Sequence, residues 1–274
     1  MSILFHDEGH TYKNINPEEQ IRWTSVSTLC HYFVEAFDQE KKAASASVKK
    51  EGKWFGIPPA EIVQIWQNEA LRSTTLGTWY HKKEEDKLRG LQTIQRYGKE
   101  LPIIMPVVNE AGWKVAQDQR LIDAVYPELL VYLRSVGVCG QSDDVTVANN
   151  LVYVDDHKSN KDIKKPTFVN WEGKTKRLLA PLLHLEDNQL VKYGLQLNVY
   201  LYIILRNNPQ LGVGGLALNN VTFELAGEDR FGYPVLRLEN GEPIVKDVER
   251  IPLPYMKREV EIMFDWLKNK NAVR

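Results

Sequence analysis

A chain of 274 residues, 43% hydrophobic and 26% charged, is long enough to bury a full core. Lys+Arg 35 against Asp+Glu 36 leave a formal net charge of -1, so bulk charge points to no nucleic-acid partner and a basic groove has to come from local clustering. The two cysteines, Cys30 and Cys139, stand far apart and outside any CxxC spacing, which argues against a zinc ribbon, a disulfide scaffold and a four-cysteine iron–sulfur cluster.

Both thiols read as buried groups in a reducing compartment. The N-terminus has neither the basic start nor the apolar run of a secretory signal, and the apolar stretch 195–205 is interrupted by Gln196 and Asn198. The expectation is a soluble, cytoplasmic protein without a membrane partner, folded as one domain over 1–274.

Residues 3–14 predict a small hairpin turning at Asp7-Glu8-Gly9. A helix is expected from Thr24 or Ser25 as N-cap, carrying Val26, Leu29, Phe33 and Phe37. Pro58-Pro59 opens a second helix with Ile62, Trp66 and Ala70, and a further helix starts near Thr78 and stops at Gly90. Residues 1–125 are thus expected to be mostly helical.

After Pro127 the period shortens. Segments 129–134, 138–147 and 151–158 are rich in Val, Leu and Tyr, as strands of a meander are. A polar stretch over 159–177 precedes a strong helix over about 188–205, strand-like runs broken by glycine over 212–239, and an amphipathic helix over about 254–269.

Asn149-Asn150 fits the tip of a two-residue hairpin, since asparagine tolerates the positive φ that such turns require. If Ala148 faces Leu151, Asp143 faces Asp156 and Asp144 faces Asp155. Side chains alternate, so Asp143, Val145 and Val147 share a face with Val152, Val154, Asp156 and Lys158. That valine face is the one expected to pack inward, leaving Asp144 and Asp155 in solvent. Two partly buried carboxylates facing each other need a cation or a shared proton, and a divalent metal answers this better than Lys158, which lies beside the pair. The alternative is a solvated pair, and a one-residue slip in register would dissolve the argument.

Gly140-Gln141-Ser142-Asp143, with Asp156-His157-Lys158 thirteen residues beyond Asp143, resembles the active-site hairpin of the PD-(D/E)XK nuclease superfamily. Gln196-Leu197-Asn198-Val199-Tyr200 matches the Q-x-x-x-Y helix of its RecB-type branch, and Gly77-Thr78-Trp79-Tyr80-His81 the upstream G-T-x-x-H element. The four elements stand in the family's order between residues 77 and 200. In kind they are nearest to phage exonucleases and the mitochondrial genome maintenance exonuclease.

The resemblance implies an α/β restriction-endonuclease-like core over 126–274, a central mixed β-sheet flanked by helices, with His81 reaching in from the helical region 1–125. It implies that Asp143 and Asp156 bind Mg²⁺ or Mn²⁺ with the His157 backbone carbonyl and His81, that Lys158 orients the attacking water, and that Gln196 and Tyr200 touch a phosphate or buttress the site. Glu85, on the helical face of His81, and Glu128, just before the first core strand, are secondary candidates. Asp143-Asp144 departs from the family's common aspartate-arginine.

Lys161, Lys164, Lys165, Lys174, Lys176 and Arg177, interleaved with Phe168 and Trp171, read as a single-strand DNA surface or, more plainly, as a solvated loop. His184, Glu186 and Asp187 form a polar cluster ahead of the helix over 188–205. The implied function is a metal-dependent DNA exonuclease acting on single-stranded ends or flaps in replication, repair or recombination. The alternatives are an endonuclease of the same superfamily and a catalytically silent DNA-binding protein.

Overall fold

The protein is described by a computed structural model over residues 3–272. Strands β1 (Ile3–His6) and β2 (Thr11–Asn14) form the expected hairpin. β3 (Thr24–Ser25) leads into α1 (Val26–His31), whose N-cap Ser25 accepts from the Thr28 N–H at 3.1 Å. The helix ends at His31, so Phe37 lies outside it and is exposed, against expectation.

α2 (Gln39–Ser47) precedes α3 (Pro59–Arg89), a single 31-residue helix where two were expected. The apparent break at Ser73-Thr74-Thr75 and Gly77 is bridged. The Thr75 hydroxyl donates back to the Leu71 carbonyl at 2.9 Å, and one interior glycine costs only about 1 kcal/mol. Ion pairs such as Arg72–Glu69 and Lys87–Glu84 support both halves of the helix.

The mostly helical expectation fails beyond Gly90. β4 (Thr93–Arg96) and β5 (Lys99–Pro102) form a hairpin through Tyr97 and Gly98, whose φ values of 51° and 75° are those of a tight two-residue turn. β6 (Val107–Val108) and β7 (Lys114–Val115) then extend the N-terminal hairpin into a four-stranded sheet.

β8 (Ala124–Leu133), β9 (Val138–Ala148) and β10 (Leu151–Lys158) form an antiparallel meander. α4 (Gln189–Asn207) carries the chain over to β11 (Gly212–Phe223), parallel to β10. Two short hairpins follow, β12 (Leu225–Glu228) with β13 (Pro234–Leu236), and β14 (Leu238–Glu239) with β15 (Glu242–Pro243). β16 (Val245–Leu253) pairs with β11, and α5 (Lys257–Ala272) closes the described chain.

The result is a mixed six-stranded sheet in the order β16-β11-β10-β9-β3, with β8 on the other edge of β9. Val145, Val147, Val152 and Val154 are fully buried with α1, α4 and α5, so the valine face is the inner one. On the opposite face the N-terminal hairpin and β4–β5 cover Leu130, Cys139, Val125 and Ala148. Both thiols are buried and unbridged. No described helix is long and apolar enough to cross a membrane.

Candidate metal centre

The β9–β10 ladder runs from Ala148↔Leu151, through a turn with φ 54° at Asn149 and 60° at Asn150, to Asp144↔Asp155, the register read from the sequence. There it stops. The same edge of β9 is taken up by β3 only at Val138 and Cys139, so among the described residues 140–143 have no strand neighbour on that side. Asp143 and Asp156 face each other just beyond the last rung, in the fork where the strands part.

Gly140 is what lets a helix close over that fork. A Cβ there would lie 2.6 Å from Cε1 of Tyr200 and 2.9 Å from Cγ2 of Val26, so only glycine admits the α4 tyrosine against β9. Gln196 Nε2 donates to the Tyr200 hydroxyl at 3.2 Å, which holds these two α4 residues together behind the carboxylates.

From α3, His81 enters with both ring nitrogens on acceptors. Nδ1 is 3.0 Å from Asp143 Oδ2 and Nε2 is 2.9 Å from the His157 carbonyl oxygen. The His157 backbone N–H also donates to Asp143 Oδ2 at 3.2 Å. Four of the residues expected as ligands, His81, Asp143, Asp156 and His157, therefore converge. Lys158 pairs with Asp156 and lies over the Tyr193 ring at 5.0 Å.

Glu128 joins them. It sits inside β8, not before it, opposite Asp143, and its φ of 53° is left-handed although Pro127↔Asp144 and Leu129↔Ser142 keep one register on either side. Such a conformation costs a non-glycine residue about 1–2 kcal/mol, and strain of this kind collects at functional positions. Ligand atoms of His81, Glu128 and Asp143 all lie within 4.8 Å of one another. Lys114, from β7, reaches Glu128 at 3.5 Å and Asp7 at 2.9 Å. No sequence spacing connects Lys114 to the site. Glu85 is drawn instead into an ion pair with Arg89, and Glu84 into one with Lys87.

The electrostatics are those of buried carboxylates crowded together. Burial and the charge of Asp143 push Asp156 up to about 7 against the pull of Lys158. Burial and Asp143 likewise push Glu128 up to about 7, opposed by Lys114. Burial alone would raise Asp143, but the hydrogen bond and charge of His81, with Lys158, hold it well below the carboxylate range. Burial would lower His81, yet bonding to Asp143 raises it to about 9, as two acceptor contacts require of an imidazolium. Lys158 is raised by Asp156 and Asp143 despite its burial. A proton on His81 thus occupies the space between a carboxylate and a backbone carbonyl. Carboxylate and carbonyl oxygens with one imidazole are a donor set that suits Mg²⁺ or Mn²⁺.

Asp144 and Asp155 are not solvated as expected. Arg96 of β4, in the hairpin that covers this face, bonds Asp144 at 2.7 Å, and Arg250, two strands away on β16 of the same sheet, reaches across β11 to bond Asp155 at 2.8 Å. The basic stretch does not gather at the site either. Lys164 pairs with Glu249, Lys165 with Asp162, Lys174 with Glu172, and Lys176 with Glu35 and Asp187. Arg177 donates to the His184 carbonyl, and Trp171 stands 92% exposed on a turn built by Asn170. Of the expected nucleic-acid residues only Lys161 lines the cleft leading from the site. His184, Glu186 and Asp187 go to separate partners, Glu259, Thr167 and the lysines 176 and 192. Compared with models of known protein families, with curated proteins and with solved structures, the chain matches none.

Proposed function

We propose that this chain is a metal-dependent nuclease built on a restriction-endonuclease-like core, hydrolysing phosphodiester bonds of DNA at free ends. The observation that carries the reading is the fork itself. His81, Glu128 and Asp143 bring ligand atoms within 4.8 Å of one another, the His157 carbonyl lies on His81, and Asp156 faces Asp143 with Lys158 beside it, so three buried carboxylates crowd together while one of their three cations, Lys114, is shared with Asp7. An arrangement that repels itself when empty is explained by a cation that it exists to hold. The choice of DNA, and of ends over internal sites, rests on the resemblance of the four motifs.

His81, Asp143, Asp156 and the His157 carbonyl would hold Mg²⁺ or Mn²⁺, with Glu128 as a further oxygen donor. Bound there, the ion supplies Lewis acidity and makes water a usable nucleophile at neutral pH. His81 has to release a proton to serve as a ligand. Lys158, kept charged by the two aspartates, offers a hydrogen bond to the attacking water and a positive charge to the phosphate oxygens. Gln196 and Tyr200, locked to each other and to Gly140, hold β9 and therefore Asp143 in place.

The deciding experiment incubates end-labelled linear, circular and flapped DNA with Mg²⁺, Mn²⁺ or EDTA. Linear and flapped substrates should shorten in either metal and survive in EDTA, and closed circles should persist. Rapid cutting of circles would make the protein an endonuclease. Binding without cleavage in both metals would make it a silent DNA-binding protein and overturn the reading.

A further inference from the structure

Beside the fork opens a cleft of about 880 Å³ that starts at His81, His157 and Lys158 and continues past Lys161 to Arg72 and Lys246. Leu76, Val221 and Phe223 give it apolar patches, and of its two carboxylates Glu69 pairs with Arg72 and Asp162 with Lys165. The cations around it differ from those on the stretch 164–177. Among the described residues neither Lys161 nor Lys246 forms an ion pair with a carboxylate, and both are exposed. Rings accompany them. Lys158 lies over Tyr193, and Lys161 lies 6.0 Å from the centre of Tyr233, the residue before the cleft-lining Pro234. Lys53, hydrogen-bonded to the Phe231 carbonyl, also lies over Tyr233 at 4.8 Å and over Trp54 at 4.7 Å.

We propose that this cleft, and not the basic stretch 164–177, holds the single-stranded DNA end presented to the metal centre. Lys161 and Lys246 carry backbone phosphates, and the cleft-lining Tyr193 ring, with Leu225 and Leu236, meets the unpaired bases. The proposal rests on the nuclease reading for which polymer is bound, and on the cleft for where. An unpaired cation displaces counterions from a phosphate at no cost to an existing ion pair, whereas Lys164, Lys165, Lys174 and Lys176 would first have to leave theirs. Ring faces reward a base only when it is unstacked from its complement, so the lining selects a single strand over a duplex.

The test measures binding of a fluorescent single-stranded oligodeoxynucleotide by anisotropy, in EDTA so that nothing is cut, across a salt series. Replacing Lys161→Ala together with Lys246→Ala should weaken binding about tenfold or more and flatten the log–log salt slope by about 1.4, as expected for two phosphate contacts on a single strand. Tyr193→Ala should cost single-strand binding several-fold more than duplex binding. The matched pair Lys165→Ala with Lys174→Ala should lose less than the cleft pair. An equal or larger loss from that loop pair, or an unchanged salt slope in the cleft pair, overturns the proposal. The two readings fail separately: DNA held through the cleft but never cut in Mg²⁺ or Mn²⁺ sinks the nuclease and keeps the cleft, and cleavage with KM untouched in the cleft pair does the reverse.

Discussion

The β9–β10 hairpin carries two pairs of aspartates one residue apart, and the protein treats them in opposite ways. On the outer face Asp144 and Asp155 each receive one arginine, Arg96 from the hairpin laid over the sheet and Arg250 from β16 within it. On the inner face Asp143 and Asp156, joined by Glu128, share a histidine and Lys158, while Lys114 divides its charge between Glu128 and Asp7. The first pair is neutralised by the fold and is structural. The second crowds three buried carboxylates at a place on β9 where, among the described residues, one edge of the strand has no strand neighbour, and two of the three are pushed up to about 7.

The largest expected effect separates the pairs. Asp143→Ala, Asp156→Ala and Lys158→Ala should each cut cleavage on the order of 10³-fold or more without unfolding the protein. Asp144→Ala should do the converse, sparing the chemistry while removing the carboxylate of a half-buried arginine, at a cost of about 3 kcal/mol in a denaturant titration. An Asp144→Ala protein of normal stability and no activity would invert the comparison.

This contrast was half legible in the sequence. The Asn-Asn turn fixed the register, and alternation then put Asp143 with Asp156 on the valine face, as observed. What alternation does not report is what lies over the other face. Arg96 and Arg250 are separated from Asp144 and Asp155 by 48 and 95 residues, and long-range pairing of that kind leaves no period to read. The hairpin that brings Arg96 did carry a signal, Tyr97-Gly98 between alternating strands, which the expectation of a helical N-terminal third passed over. Glu128 was misplaced because β8 begins at Ala124 and runs through Pro127, a residue that reads as a strand breaker. Lys164 and Lys176 looked free because their carboxylate partners Glu249 and Glu35 lie far away in sequence, whereas Lys165 and Lys174 pair within the stretch, with Asp162 and Glu172.

A second way to sharpen the comparison is pH. Asp156 in the folded protein sits at about 7 against an ordinary 3.8, so its proton is bound more tightly in the native state than in the unfolded one. Its stabilising contribution is complete below the ordinary value and is lost as pH rises through about 7. The metal-free protein should therefore melt at lower temperature as pH climbs over that window. Asp156→Asn should remove much of the decline and melt several degrees higher at pH about 8. Added Mn²⁺ should restore the wild type and leave the variant unchanged. A metal-free wild type whose melting temperature is flat from acid to neutral pH would show that the inner pair is not strained.

His81 gives a smaller effect. Raised to about 9 by Asp143, it must lose a proton before it binds a metal, so affinity measured by calorimetry should tighten by about tenfold per pH unit as pH approaches that value. His81→Ala should bind metal more weakly and lose that slope between pH about 7 and 9, above the range where Asp156 and Glu128 titrate, and excess metal should restore part of its activity because the carboxylates remain. An unchanged pH slope in His81→Ala would leave His81 as a packing residue of α3.

The smallest effect is expected behind the fork. Tyr200 is held where it is by shape, its ring filling the place that Gly140 leaves on β9. Its hydroxyl accepts a hydrogen bond from Gln196 and, among the described residues, donates none to an aspartate. Tyr200→Phe should therefore keep the ring, lose about 1 kcal/mol with that hydrogen bond, and leave kcat within a few-fold of wild type. Tyr200→Ala would instead empty a cavity at a cost of about 3–5 kcal/mol and loosen the strand segment that carries Asp143, lowering activity through its geometry. The two substitutions distinguish a wall from a participant. If Tyr200→Phe lowered turnover about 100-fold at saturating metal with an unchanged melting temperature, the hydroxyl would have to act on the phosphate itself, and Tyr200 would belong with Asp143 and Lys158.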